Sequence, residues 1–184
     1  MIIAKLENKD VEELTLNSKN TLGELIQYDI TYFEKLERLE TIALNGFNID
    51  NDWIEKINCL KNLKTIIFNH CKFINDVKLT NCLENLIITY CDISNINIFE
   101  KMEKLKTLEM IGIEIVNVNN FIEMKKLEEI AIYNSKIKNS KKIIEFTNLK
   151  NLKLDGSLVD EEEFSKLLNK NIKFSYKEKY LIES

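Results

Sequence analysis

The sequence of 184 residues contains no proline, only four glycines and a single histidine. Because proline and glycine mark most linkers and domain boundaries, and no shift in composition divides the chain, we predict a single domain over residues 1–184. No apolar run approaches the roughly 20 residues that a membrane-spanning helix requires. The N-terminal segment becomes charged after four residues, which is too early for a signal peptide. We therefore expect a cytoplasmic protein that does not bind membranes.

The charged residues and the absent motifs exclude further classes of function. The formal net charge is -4, which gives no electrostatic reason to expect binding to nucleic acid. The sequence has no glycine-rich phosphate loop and no recognisable nucleophile turn. The acidic run at 161–163 is explained by its place at the start of a predicted helix. We predict that the protein is not an enzyme and carries no cofactor.

One short pattern returns about every 22 residues: a leucine, two variable residues, an apolar residue, one variable residue and a second apolar residue. It reads LETIAL from Leu39, LKTIIF from Leu63, LENLII from Leu83, LKTLEM from Leu105, LEEIAI from Leu127 and LKNLKL from Leu149. Successive copies begin 24, 20, 22, 22 and 22 residues apart. Such a period indicates a stack of small units, none of which can bury its apolar face alone.

Each repeat predicts one strand and one helical turn. When the first leucine is counted as position 0, the apolar residues at +3 and +5 alternate with period two, which is typical of a strand with one buried side. Position +10 is apolar in every repeat. Apolar residues six and three positions before each new repeat, such as Phe33 and Leu36, indicate a helical turn that packs on the same core.

The pattern LxxLxLxxxxI resembles a leucine-rich repeat of the roughly 22-residue kind found in bacterial proteins and short intracellular regulators. The resemblance implies an α/β solenoid: a right-handed superhelix with a parallel β-sheet of seven to eight short strands on its concave face, and short helical or irregular returns on its convex face. Residues 39–159 form the regular repeats. Residues 1–38 are predicted to form an N-terminal cap with an irregular first repeat, and residues 160–184 a capping helix followed by a strand near Phe174.

The sequence departs from this family at position +8. Leucine-rich repeats usually have asparagine there, and its amide links successive turns of the solenoid. This chain has Phe47, Cys71, Cys91, Ile113, Ser135 and Ser157. Cysteine and serine are tolerated substitutes, whereas Phe47 and Ile113 cannot form this link.

The cysteines and the histidine are the remaining candidates for chemistry. Cys59, Cys71, Cys82 and Cys91 contain no CxxC pair, and two of them occupy position +8 of adjacent repeats. We interpret those two as buried thiols rather than zinc ligands or disulfide partners. A metal- or thiol-dependent enzyme or regulator is the alternative. His70 follows a predicted strand and is interpreted as a surface contact residue rather than a catalyst.

Strand residues that alternate with the buried ones must face away from the core, onto the predicted concave face. The candidate contact residues on this face are Ile67, Ile87, Ile111, Tyr90, Tyr133, His70, Glu109, Glu129 and Lys153. Exposed apolar and aromatic side chains with a polar rim are typical of an interaction site. The other explanation is that β-branched residues occur there only because they favour strands.

The favoured hypothesis is an interaction module that binds a protein or peptide partner through the concave face. A sharper version is an immunity or inhibitor protein that neutralises a cognate toxin or enzyme. We expect a monomer, and self-association through an exposed sheet edge is the alternative.

Overall fold

Eight short parallel strands form the main sheet of the protein in a computed structural model, which describes residues 2–4, 10–74, 78–79, 83–93, 98–99, 102–121, 124–157 and 172–176. The strands in chain order are β1 Ile2–Ala4, β2 Glu13–Asn17, β3 Ile26–Tyr28, β4 Thr41–Asn45, β5 Asn48–Ile49, β6 Thr65–Asn69, β7 Lys72–Phe73, β8 Asn85–Thr89, β9 Thr107–Ile111, β10 Ile115–Asn117, β11 Glu129–Tyr133, β12 Lys136–Lys138, β13 Asn151–Lys153 and β14 Lys173–Ser175. The main sheet has the order β2-β4-β6-β8-β9-β11-β13-β14, which follows the chain. The predicted parallel sheet is therefore confirmed, including its last strand around Phe174.

Side chains alternate across this sheet as the period-two pattern predicts. Both apolar strand residues of each regular repeat point inward, and none is more than 1% exposed. These residues are Ile42 and Leu44, Ile66 and Phe68, Leu86 and Ile88, Leu108 and Met110, Ile130 and Ile132, and Leu152 and Leu154. Their burial drives the stacking of repeats, because no single repeat could remove both from water.

Four of the described returns between strands contain a short helical segment that packs on the same core. One is an α-helix, α1 Asn51–Asn58, whose N-cap Asp50 accepts a hydrogen bond from the backbone N–H of Trp53 at 3.1 Å. Three more among the described residues are 3₁₀ helices, at Ile30–Lys35, Val118–Phe121 and Ser140–Glu145. The predicted helical contacts of Phe33 and Leu36 are confirmed, since both are at most 2% exposed. The predicted helix at 160–168 lies outside the described residues.

Small two-stranded pairs outside the main sheet were not predicted. β5 pairs with β7, β10 with β12, and β1 with β3, all in parallel. In the β10–β12 pair, Val116, and not Ile115 at position +10, lies opposite Ile137. The loop between β9 and β10 is one residue longer than the loop between β11 and β12, so the residue equivalent to Ile137 lies one position later in the chain.

Candidate functional site

The parallel register aligns equivalent residues of successive repeats into rows on one side of the main sheet, which we call the open sheet face. The three rows are Thr41, Thr65, Asn85, Thr107, Glu129 and Asn151; Ala43, Ile67, Ile87, Glu109, Ala131 and Lys153; and Asn45, Asn69, Thr89, Ile111 and Tyr133. Ala131 is the one buried member, at 2% exposed, and the others are all partly exposed. This face corresponds to the predicted concave face, and all of the predicted strand contact residues lie on it.

Three isoleucines, which we call the isoleucine patch, meet at the centre of this face. Ile67 of β6 lies directly opposite Ile87 of β8. Ile111 of β9 is a diagonal neighbour of Ile87, because Ile87 pairs with Glu109 two residues before it. Opposite and diagonal neighbours in a sheet lie within reach of each other's side chains. The patch is therefore continuous, and each of its members is partly exposed.

Polar residues beside the patch bond to one another. The side-chain amide of Asn85 donates to the Thr65 hydroxyl at 3.0 Å, and the amide of Asn45 donates to the side-chain oxygen of Asn17 at 2.9 Å. Such cross-strand bonds fix the orientation of the side chains that border the apolar centre.

His70 and Tyr90 stand at the edge of the sheet where the strands end. Both have a left-handed backbone, with φ of 50°. Their rings are stacked, with centroids 5.1 Å apart and planes inclined by 14°, and Tyr90 is 52% exposed. The Tyr90 ring also covers Gly112, where a Cβ atom would lie only 2.2 Å from Tyr90 Cε1. A shallow groove of about 320 Å³ extends from Tyr90 past Gly112 to Glu114.

The end of the open sheet face that β11 and β13 form is charged, and we call it the charged end. Lys153 donates to Glu129 at 2.8 Å, and this bond raises the pKa of Lys153. Burial raises the pKa of the neighbouring Tyr133, which therefore stays a neutral hydrogen-bonding group at physiological pH. Glu109 lies in the row between Ile87 and Ala131. The predicted contact residues thus form an apolar centre, an aromatic edge and a charged end.

Position +8 lies just beneath the sheet edge and links the repeats. The backbone N–H of Cys71 donates to Cys91 Sγ at 3.2 Å, and that of Ile113 donates to Ser135 Oγ at 3.0 Å. Cysteine and serine thus perform the linking role expected of asparagine. Phe47, which cannot do so, packs its ring at 4.8 Å from that of Trp53 and 5.8 Å from that of Tyr28. An aromatic cluster replaces the hydrogen bond in the first regular repeat.

The thiols of Cys71 and Cys91 are structural. They are 3% and 4% exposed, and Cys71 Sγ donates to the Leu44 carbonyl oxygen at 3.2 Å. The contact with Cys71, together with burial, raises the pKa of Cys91, so this thiol is protonated at physiological pH. Cys59 is free and exposed, and Cys82 is outside the described residues. Within the part of the chain that the structure describes, no group of three or more His, Cys, Asp or Glu side chains could hold a metal ion.

A row of alternating charge at position +1 was missed by the sequence analysis. It runs Glu40, Lys64, Glu84, Lys106, Glu128 and Lys150 along the edge where the strands begin. Ion pairs join its members two by two, at 2.6 Å, 2.8 Å and 2.6 Å. The letter after each repeat leucine reads E, K, E, K, E, K, so a comparison of repeats at this position would have found the row.

Two exposed leucines in the irregular first repeat were also missed. Leu22 is 83% exposed and Leu25 is 60% exposed. The loop that carries them is ordered by Asn20, whose side-chain oxygen accepts from the backbone N–H groups of Leu22 at 3.0 Å and Glu24 at 2.9 Å. The sequence gives no signal for this loop, because the first repeat lacks the regular spacing.

The register, the buried leucine positions and the hydrogen-bonded row at position +8 together define the class of the protein. The chain folds as a leucine-rich repeat protein, an α/β solenoid with one strand of the main sheet per repeat. Its described residues include no helix long and apolar enough to cross a membrane.

No protein-family model matches the chain, and no curated protein matches it. Among solved structures, the chain is similar to an internalin from Listeria monocytogenes, with 13% sequence identity and a TM-score of 0.44. The match covers 83% of this chain and 65% of the internalin, so this chain spans less than two thirds of that protein. The assignment to the leucine-rich repeat class rests on the strand register and the repeat spacing of this chain itself.

Proposed function

We propose that this protein binds another protein or a peptide through its open sheet face. The observation that carries the proposal is the isoleucine patch. It places three partly exposed aliphatic side chains side by side on the open sheet face, and none of the three belongs to the buried core. Strand propensity alone does not account for the grouping. The row that contains Ile67 and Ile87 has Ala43 before them and Lys153 at its far end, so the large aliphatic residues are gathered near its centre.

Burial of the isoleucine patch alone does not supply enough free energy for stable binding of a partner. Complete burial of three isoleucine side chains would contribute about 5–9 kcal/mol, and less here because each is already partly buried. Association costs about 4–15 kcal/mol. Tyr90, Tyr133 and the charged end must therefore supply part of the affinity. Tyrosines suit this role, because tyrosine offers a large contact area and a hydroxyl group with few rotatable bonds.

The composition of the face favours a protein partner over a nucleic acid. A nucleic-acid surface presents several lysines or arginines to the phosphates. Within the described open sheet face, the side chains next to the patch are Asn, Thr, Ala, Tyr and the carboxylate of Glu109, with no lysine or arginine among them. Mixed polarity with aromatic residues is typical of protein interfaces.

Substitution of Ile87 by Asp tests this proposal. We expect Ile87→Asp to abolish capture of the partner from a lysate of the native host, because it places a charge at the centre of the patch. Since Ile87 is already partly exposed, its stability cost should be near the strand-propensity range of about 1 kcal/mol. Ile74→Asp is the matched control, because Ile74 is 50% exposed and follows β7, outside the open sheet face.

Equal capture by both variants would refute binding at this face. Capture that is lost in Ile87→Asp and kept in Ile74→Asp, with similar thermal midpoints for the two, would support it. One stoichiometric partner in that experiment would favour an inhibitor or immunity protein, and several weak partners would favour a general adaptor.

A further inference from the structure

Glu109 is the carboxylate at the centre of the open sheet face. It lies directly opposite Ile87 on one side and Ala131 on the other, and Ile111 follows two residues later on the same side of β9. Its side chain is therefore bordered by apolar groups on three sides and is itself partly exposed.

Three other charged groups on this side of the sheet have partners. Glu129 holds Lys153 at 2.8 Å, and Asp155 accepts hydrogen bonds from Ser175 Oγ at 2.9 and 3.0 Å. Among the described residues, none forms an ion pair or hydrogen bond with Glu109. Lys153 lies two strands away from Glu109 and is already bonded to Glu129. Glu109 is therefore a negative charge beside the isoleucine patch that has no ion pair or hydrogen bond among the described residues.

A partner that buries the patch must also remove water from Glu109. A carboxylate that loses its water without gaining a counter-charge costs several kcal/mol. A lysine or arginine from the partner would remove that cost, and a charge pair in a desolvated part of an interface can contribute strongly to affinity. Charge complementarity thus sets the chemistry of the occupant.

We infer that the partner presents a lysine or arginine to Glu109 next to an aliphatic or aromatic side chain that packs on the isoleucine patch. Neighbouring strands lie about 4.8 Å apart, so the cation and the apolar group must be about 5–10 Å apart. Residues three or four apart on a helix, or two apart on a strand, meet this requirement. The inference rests on the proposed function and narrows the class of partner to a segment with adjoining basic and apolar residues.

Selection from a display library of random peptides tests the inference with a defined probe. We expect peptides selected on the wild-type protein to be enriched in a basic residue at a fixed spacing from an apolar one. Their affinity should fall at least about tenfold for Glu109→Gln. Selection on Glu109→Lys should favour acidic residues instead. Glu103→Lys, a reversal at an exposed turn before β9, is the matched control and should select the same peptides as the wild type.

Two outcomes separate this inference from the proposed function. Peptides that lose binding to Ile87→Asp but bind Glu109→Lys as well as the wild type would overturn the inference and leave binding at the open sheet face intact. Peptides that bind Ile87→Asp and the wild type equally would overturn both.

Discussion

The contact between Tyr90 and Gly112 predicts a stability cost that can be separated into two parts. Gly112 has a φ of 63°, and a Cβ atom there would lie 2.2 Å from Tyr90 Cε1. Gly112→Ala therefore forces a side chain into a left-handed backbone, at about 1–2 kcal/mol. It also displaces the Tyr90 ring from His70, and a stacked aromatic pair is worth about 0.5–1.5 kcal/mol. We expect a total loss of about 1.5–3.5 kcal/mol in the free energy of unfolding, from the sum of these terms.

Two other glycines provide the controls, because they share the left-handed backbone without the ring. Gly23 has a φ of 81° and no atom within 4 Å of its built Cβ, and at Gly46 the nearest atom is Ser18 Oγ, a hydroxyl that can rotate away. Their alanine variants should lose only the backbone part, about 1–2 kcal/mol. Urea unfolding monitored by circular dichroism, with linear extrapolation, measures all three.

A double-mutant cycle isolates the ring contact. In a Tyr90→Ala background the ring is gone, so Gly112→Ala should lose only the backbone part, and the coupling energy should equal the stacking contribution of about 0.5–1.5 kcal/mol. If Gly112→Ala costs the same in both backgrounds, or no more than Gly23→Ala in the wild type, the stacked ring does not press on this glycine and the reasoning fails.

Two further predictions concern the links between repeats. Ser157→Ala should lower the unfolding free energy by about 1–3 kcal/mol, because it leaves the Ile132 carbonyl oxygen and the Ser135 N–H without the hydroxyl that bonds them. Ser157→Cys should lower it less, because cysteine occupies the same position in two other repeats. Equal losses for the two variants in urea unfolding would contradict this role. Lys106 and Lys150 lower the pKa of Glu84 and Glu128 below the ordinary value of 4.5. The charged row therefore stabilises the fold above that pH and loses its contribution as pH falls through the lowered pKa values. The thermal midpoint should accordingly fall less between pH 6 and about pH 3 in a Glu84→Gln, Glu128→Gln variant than in the wild type, and an unchanged pH profile would contradict the assignment.

The main sheet was predictable because one requirement repeats in every unit. Both inward strand positions are apolar in all six regular repeats, and a shift of one residue would expose all of them. The same period-two alternation predicted that Ile67 and Ile87 face away from the core, on the open sheet face. The pairs β5–β7 and β10–β12 could not be predicted, because two- or three-residue strands are held by backbone bonds and leave no side-chain period to read.

The aromatic edge of the site was predicted as a set of residues but not as an arrangement. His70 and Tyr90 have left-handed backbones, a conformation that is uncommon for residues other than glycine. The signal lies in the comparison of repeats, since Gly46, Gly112 and Gly156 occupy the same position +7. Only the three-dimensional packing reveals that a large side chain in one repeat leans over the glycine of the next.

The alternating charges at position +1 make neighbouring repeats unequal, and this limits how the chain can change in length. Loss of the single repeat that carries Glu84 would bring Lys64 beside Lys106, so that two like charges would meet where an ion pair now stands. Loss of two consecutive repeats would bring Lys64 beside Glu128 and restore the alternation. Through natural duplication or deliberate trimming, this solenoid should therefore grow and shrink most readily in pairs of repeats, a step of about 44 residues.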